Sequence, residues 1–257
     1  MKRKNFLKQL AFAGASLSVL QACANDKKCT ETPEGEEGPF PTHQPESMVA
    51  QNIVSDRVGM PLTIKISINN INNNCKGLPF AIVDIWHCDS KGEYSEYGGS
   101  AGGVMFPPPN TGQGDSNRMP PPPPPGNDNR QRPPMGGGLQ AADHTKEHFL
   151  RGRQLTNADG IASFTSIFPG WYPGRAPHIH AHIFDKNGKS LLITQIAFPE
   201  EVTHEIYAQG VYKDHGQADT SNTGDHVFND SIANELASIS GNSANGYLLT
   251  HAIYVKA

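Results

Sequence analysis

Apolar residues in this chain recur with a period of two, and that constrains its fold more than any other feature. Leu62, Ile64, Ile66 and Ile68 alternate with polar residues, the pattern of a strand with one face in a core and one in water. Residues 69–74 (NNINNN) read as a turn. Residues 80–86 (FAIVDIW) form a second, more continuously apolar run, followed by a Ser90-Lys91-Gly92 turn. Residues 149–155 and 161–168 flank Asn157-Ala158-Asp159-Gly160, and 178–184 and 190–198 flank Asn187-Gly188. Asp-Gly or Asn-Gly between two such runs predicts a β-hairpin. Residues 247–255 form the last strand, and the only helical pattern is a short one near Ile232 to Ile239. Short strands with regular turn signals predict an all-β chain, a β-sandwich of mostly antiparallel strands with long loops. Its 257 residues suffice for one sizeable β domain or two small ones.

Two stretches escape this pattern. Residues 98–147 carry Pro107 to Pro109, Pro120 to Pro125 and Gly136 to Gly138 among Asn, Asp and Gln. Such a segment buries too little apolar surface to offset its ordering entropy, and reads as a surface insertion. The N-terminus has a basic head (Lys2, Arg3, Lys4), an apolar run (Leu10 to Leu20) and then Leu20-Gln21-Ala22-Cys23. The run is too short for a membrane-spanning helix. The order matches a lipoprotein-type export signal, residues 1–22, with lipid attached at Cys23; Arg3-Lys4 with the residues after it also resembles a variant twin-arginine signal. Residues 23–47 are polar and read as a tether and lead-in to a domain over 48–257. The expected location is outside the cytoplasm, lipid-anchored to the cell or outer membrane on its periplasmic or surface side. Disulfides are possible there. Cys75 and Cys88 flank a strand rising ~3.3 Å per residue, too long to bring their Cα atoms within the ~4.4–6.8 Å a bridge needs. Cys29 with either remains open. A net charge of −4 does not favour nucleic acid.

The densest cluster of reactive side chains is Pro169-Gly170-Trp171-Tyr172-Pro173-Gly174-Arg175-Ala176-Pro177-His178-Ile179-His180-Ala181-His182. In a strand, His178, His180 and His182 share one face, ~6.6 Å apart, while Ile179, Ala181 and Ile183 share the other. A row of imidazoles is costly in a core unless something binds it, and neutral imidazole is the commonest metal ligand. Alone, this is as well explained by three solvated histidines. Tyr172, in a rigid Pro/Gly turn, adds a phenol oxygen suited to a hard cation. A second phenol is available from Tyr94 or Tyr97, for which strand-edge packing is the plain alternative. The cluster contains no Cys or carboxylate, which argues against zinc and against the two-His-one-carboxylate iron(II) site. A zinc hydrolase would also lack a general base.

The residues Val83-Asp84-Ile85-Trp86-His87-Cys88-Asp89, Gly92-Glu93-Tyr94-Ser95, Phe149-Leu150-Arg151-Gly152, Pro169-Gly170-Trp171-Tyr172, Gly174-Arg175 and His178-Ile179-His180 closely resemble the intradiol ring-cleavage dioxygenases, most of all their single-domain protocatechuate 3,4-dioxygenase-like branch. Glu37-Gly38-Pro39-Phe40, Leu192 to Gln195, Asp219 to Asn222 and Asp225 to Phe228 continue the resemblance. It implies a β-sandwich holding Fe(3+) by two tyrosinates and two histidines, carried here onto Tyr94, Tyr172, His178 and His180, with Tyr97 the alternative to Tyr94. It further implies a catechol-type substrate and O2, a Tyr172 that releases the metal and accepts a substrate proton, an Arg175 facing negative charge on the substrate, and Gln195 lining the site. Arg175 as a surface salt-bridge residue is the bland alternative. His182 and His87 match no ligand role. The rival function is a non-catalytic, membrane-anchored binding module; such a module would be expected to lack one of the four ligands or Arg175. The motifs specify neither which catechol is taken nor an oligomeric state.

Overall fold

The computed structural model describes residues 29–98, 142–228 and 232–257. The signal segment with Cys23, and all but the ends of the Pro/Gly-rich insertion, lie outside the described residues. Among the described residues, nine strands form two sheets. In the first, β1 (Pro61–Asn70) is central: it pairs antiparallel with β5 (Ile161–Ile167) and, at its far end, with the short β2 (Lys76–Gly77). On its other side it pairs with β9 (Gly246–Val255), which pairs in turn with β8 (Ser238–Asn242). The second sheet has the order β4 (Arg151–Leu155), β3 (Ile82–Trp86), β6 (His178–Phe184), β7 (Ser190–Ala197), all antiparallel. The β1–β9 pair is parallel, the one exception to the expected direction among the described strands.

Alternation places the core. Leu62, Ile64, Ile66 and Ile68 of β1 meet Val83, Ile85, Ile179, Ala181 and Ile183 of the opposite sheet in one cluster with Phe164, Phe168, Leu249 and Ile253. Each fully buried aliphatic side chain contributes about 1.5–3 kcal/mol. The second sheet therefore turns Ile179, Ala181 and Ile183 inward and the histidines of the same strand outward, away from the apolar layer.

Three local expectations are corrected. The Asn157–Gly160 turn forms, with Asn157 Oδ1 accepting from the amides of Asp159 (3.0 Å) and Ile161 (2.9 Å). It does not close a hairpin: β4 joins β3 in one sheet and β5 joins β1 in the other, so the turn carries the chain between layers. The second strand starts at Ile82, because Phe80 has φ +60° and is 58% exposed. The helix near 232–239 is a single turn, α2 (Ile232–Glu235), and Ile239 lies in β8. One further helix, α1 (Glu200–Tyr207), carries no expectation from the sequence: it is only two turns long and buries Thr203, Ile206 and Tyr207 on one face. The Asn187-Gly188 hairpin between β6 and β7 forms as expected.

Cys29 is bonded to Cys75, with Cα atoms 6.1 Å apart, and Cys88 is free and buried. The segment after Cys29 lies along the sandwich. Thr32 N donates to Tyr254 O (3.0 Å) and Gly35 N to Ile193 O (2.8 Å), which carries the chain from one sheet to the other.

Candidate metal centre

The centre is built on the outward face of β6. His178 and His180 are 2% and 0% exposed, although their face is turned from the main core. Across the sheet, His180 is opposite Trp86 of β3 and Gln195 of β7. The Trp86 indole lies flat on the His180 ring, centroids 4.9 Å apart and planes 2° apart. On the other side, residues 36–42 cover the ring. Gly38 has φ +70°, and a Cβ there would come within 2.9 Å of His180 Cε1. Only glycine lets the backbone approach so closely in that conformation.

Tyr172 arrives on the irregular turn before β6. Its hydroxyl is 3.2 Å from Nε2 of His178, and that nitrogen is 3.1 Å from Nε2 of His180. Nδ1 of His178 lies 2.6 Å from the carbonyl oxygen of Ala176. A carbonyl can only accept, so Nδ1 carries the proton and Nε2 presents a bare lone pair. Tyr94 comes from the loop after β3. Gly92 in that loop has φ +85°, and a Cβ on it would meet the Trp171 carbonyl at 2.1 Å, so the two tyrosine-bearing loops interlock there. The Tyr94 ring is edge-on to Tyr172 (5.8 Å) and His180 (6.2 Å), and Phe40 stacks on it at 4.6 Å.

Tyr97 is directed elsewhere: its hydroxyl donates to Pro41 O at 2.6 Å, and Arg151 lies over its ring. Tyr94, not Tyr97, is therefore the second phenol beside the histidines. His182, farther along β6, is half-buried, with Nε2 2.8 Å from Ser190 Oγ and its ring stacked on Phe184. His87 is buried in a structural role, between Cys88 O and Ser166 Oγ at 2.8 Å each.

Arg175 is not a surface residue. It is 4% exposed, and its Nε donates to Asp225 Oδ2 at 2.9 Å and Oδ1 at 3.1 Å. Nη2 donates to Gln195 Oε1 at 2.5 Å, and Gln195 Nε2 donates to Glu36 O at 3.0 Å. Asp225 is part of the segment that continues the resemblance, but the sequence assigns it no role. It lies 50 residues beyond Arg175, in a loop with no strand or helix pattern to place it.

Burial sets the protonation of these groups. Desolvation pushes the Tyr172 phenol up to about 12, opposed by the positive charge of Arg175. Burial, then the neighbouring Tyr172, holds Tyr94 well above the usual phenol range. Burial, then Arg175, drives both His178 and His180 well below the usual imidazole range. Without a cation, the site therefore holds two neutral imidazoles and two phenols. A strong Lewis acid reverses this logic for the phenols, because a bound cation dominates the local field.

The donor set fits such an ion. Nε2 of His178, Nε2 of His180 and the Tyr172 oxygen already converge, with Tyr94 alongside. Among the described residues, no three His, Cys, Asp or Glu side chains converge. A metal held here thus needs phenolate oxygens, which suit a hard, highly charged cation rather than zinc.

No protein-family model and no curated protein matches the sequence. Solved structures do. An intradiol ring-cleavage dioxygenase from Tetranychus urticae is 28% identical, with a TM-score of 0.66, over 89% of this chain and 95% of that one. The dioxygenase Tetur07g02040 is 26% identical with the same TM-score and the same two coverages. The dioxygenase domain of a carbohydrate-binding fusion protein from Streptomyces sp. SirexAA-E shares the fold at 22% identity and a TM-score of 0.55. The motifs resemble this family, the sandwich is all-β, and two solved dioxygenases align with most of the chain: in sequence motifs and in fold alike, the chain is similar to the intradiol ring-cleavage dioxygenases.

Proposed function

We propose that the protein opens a catechol-type ring between its two hydroxylated carbons, using O2 and an Fe(III) ion held by Tyr94, Tyr172, His178 and His180, to give a muconate-type diacid. The observation that carries this reading is the convergence of the Nε2 atoms of two buried histidines, 3.1 Å apart, with a phenol oxygen 3.2 Å from the first, close to the buried Arg175. Iron(III), when bound, supplies the Lewis acidity that draws electron density from a chelated catecholate and opens a ring carbon to O2.

The protein's own groups do the rest. Trp86 and Gly38 keep the His180 ring in one plane. The Ala176 carbonyl keeps the His178 proton on Nδ1. Tyr172 would be the exchangeable ligand: its oxygen, beside His178 Nε2, would take a proton from a substrate hydroxyl. Arg175 supplies fixed positive charge where negative charge gathers on the substrate, and it needs no reorganisation because Asp225 and Gln195 already hold it.

The location belongs to the same proposal. Export under the 1–22 signal, with lipid at Cys23, agrees with a Cys29–Cys75 disulfide, since such bonds persist outside the cytoplasm. Wild-type protein is expected to partition with membranes and Cys23→Ser to be released or left unprocessed. A soluble cytoplasmic protein with Met1 intact refutes this part.

Purified protein should carry about one iron per chain and be coloured by tyrosinate-to-iron charge transfer. His178→Ala should lose iron, colour and O2 uptake with catechols together. Arg175→Lys keeps a cation beside Asp225 but lacks the planar fork; it should retain iron and colour and lose ~10²-fold or more in turnover. Protein that stays colourless after iron reconstitution, or that holds stoichiometric zinc, refutes the proposal.

A further inference from the structure

Asp225 is 0% exposed, and its carboxylate reaches the centre at two points, while its backbone amide donates to Ser221 O (3.0 Å) and Nδ1 of the exposed His226 lies 3.9 Å from its Oδ1. Besides Arg175 Nε, its Oδ2 accepts from the amide of Ala176 at 2.7 Å, and its Oδ1 from the amide of Val227 at 2.9 Å. Ala176 is thus pinned at its nitrogen by Asp225, while its carbonyl oxygen takes the Nδ1 proton of His178 at 2.6 Å. Phe228 continues the same turn: its amide donates to Asp225 O at 3.1 Å, and its ring packs edge-on against His178 at 6.3 Å. A carboxylate serving only as a counter-charge could meet the end of the guanidinium. Here it takes Nε, Gln195 takes Nη2, and among the described residues nothing accepts from Nη1.

We propose that Asp225 is a positioning residue that sets two parts of the centre at once: the guanidinium of Arg175 and, through Ala176, the tautomer and direction of the His178 ring. The inference rests on the preceding reading of His178 as a ligand and Arg175 as the substrate-facing charge. Its physical basis is acceptor capacity. A carboxylate accepts from Arg175, Ala176 and Val227 together, whereas an amide would turn one N–H toward another N–H. Asp225→Asn therefore surrenders one of these contacts although its shape is unchanged.

The test uses the full chain labelled with ¹⁵N at histidine. In metal-free wild type, the His178 nitrogen shifts should report a single tautomer with Nδ1 protonated. Asp225→Asn should give mixed tautomers in a protein that still melts cooperatively. On iron loading, it should bind the metal about 10–100-fold more weakly, and turnover of a catechol should fall in kcat rather than KM. If Asp225→Asn does not fold, the charge-free pair Arg175→Met with Asp225→Leu removes the buried ions together and should fold, again with mixed His178 tautomers. A His178 tautomer unchanged from wild type in the folded variant overturns the proposal, because a purely structural Asp225 would lower only the melting point. Since the tautomer is read without metal, its outcome is independent of iron: wild type that binds no iron refutes the proposed function, not this inference.

Discussion

Removing the Cys29–Cys75 bond tests how the segment over the metal centre is held. The bond closes a loop with a sequence separation of 46. In the chain-entropy account, cross-linking a loop of that size removes about 4 kcal/mol of conformational freedom from the unfolded chain. Cys29→Ala with Cys75→Ala should therefore destabilise the protein by about 4 kcal/mol. With a urea slope near the upper end of ~1–3 kcal/mol per molar, the midpoint of unfolding should fall by about 1.5 M. The loss should reach the centre too. Beyond Cys29, the chain is fastened by the Thr32 and Gly35 amides, Glu36 O and the Phe40 carbonyl, which accepts from Arg151 at 3.0 Å. Amide hydrogen exchange over residues 30–35 should therefore accelerate more than exchange over 36–42. A change below about 1 kcal/mol, or uniform exchange along 30–42, would show that the backbone contacts hold the segment without the bond.

Acid should destabilise the fold through buried histidines. Burial takes His87 and His251 to about 4, below the usual imidazole value. The unfolded chain then binds more protons than the folded one, so stability is full above about pH 6.5 and falls as pH drops towards 4, by up to ~3 kcal/mol per group. Urea midpoints measured from pH 7 to 4 should show this fall, and His251→Phe should reduce its slope; a flat profile in wild type refutes the assignment. Replacing residues 101–140 with a short Gly/Ser turn should leave cooperative unfolding and iron content unchanged, because Gly98 and Asp143 already bridge the ends of the insertion. Loss of either would show that the segment is structural.

Much of the sandwich is readable from period-two alternation, because β1 and β5 each bury one face. The false hairpin at Asn157–Gly160 shows where that reading stops. A turn signal reports a reversal of the chain, but pairing depends on partners far away, and β4 pairs with β3 across the whole insertion. The histidine pair is visible as His-x-His on a strand with an apolar opposite face. Tyr94 and Tyr97 follow the same turn and cannot be separated by spacing; a carbonyl at Pro41 separates them. Asp225 carries no local pattern, since its meaning comes only from what it faces. Residues 29–47 look like a tether by composition because they are held by backbone amides, which leave no mark in side-chain type.

The parallel pairing of β1 with β9 has a kinetic meaning. Leu62 is opposite Tyr247 and Asn70 is opposite Val255, so the middle of one sheet joins residues 185 positions apart. The β1–β9 pair cannot form until β9 has been synthesised, and contacts of such long sequence separation make folding slow. Until then, β1 has a bare edge that can pair with another chain. The newly made protein thus passes through a period of exposure to aggregation whose length is set by topology rather than by final stability.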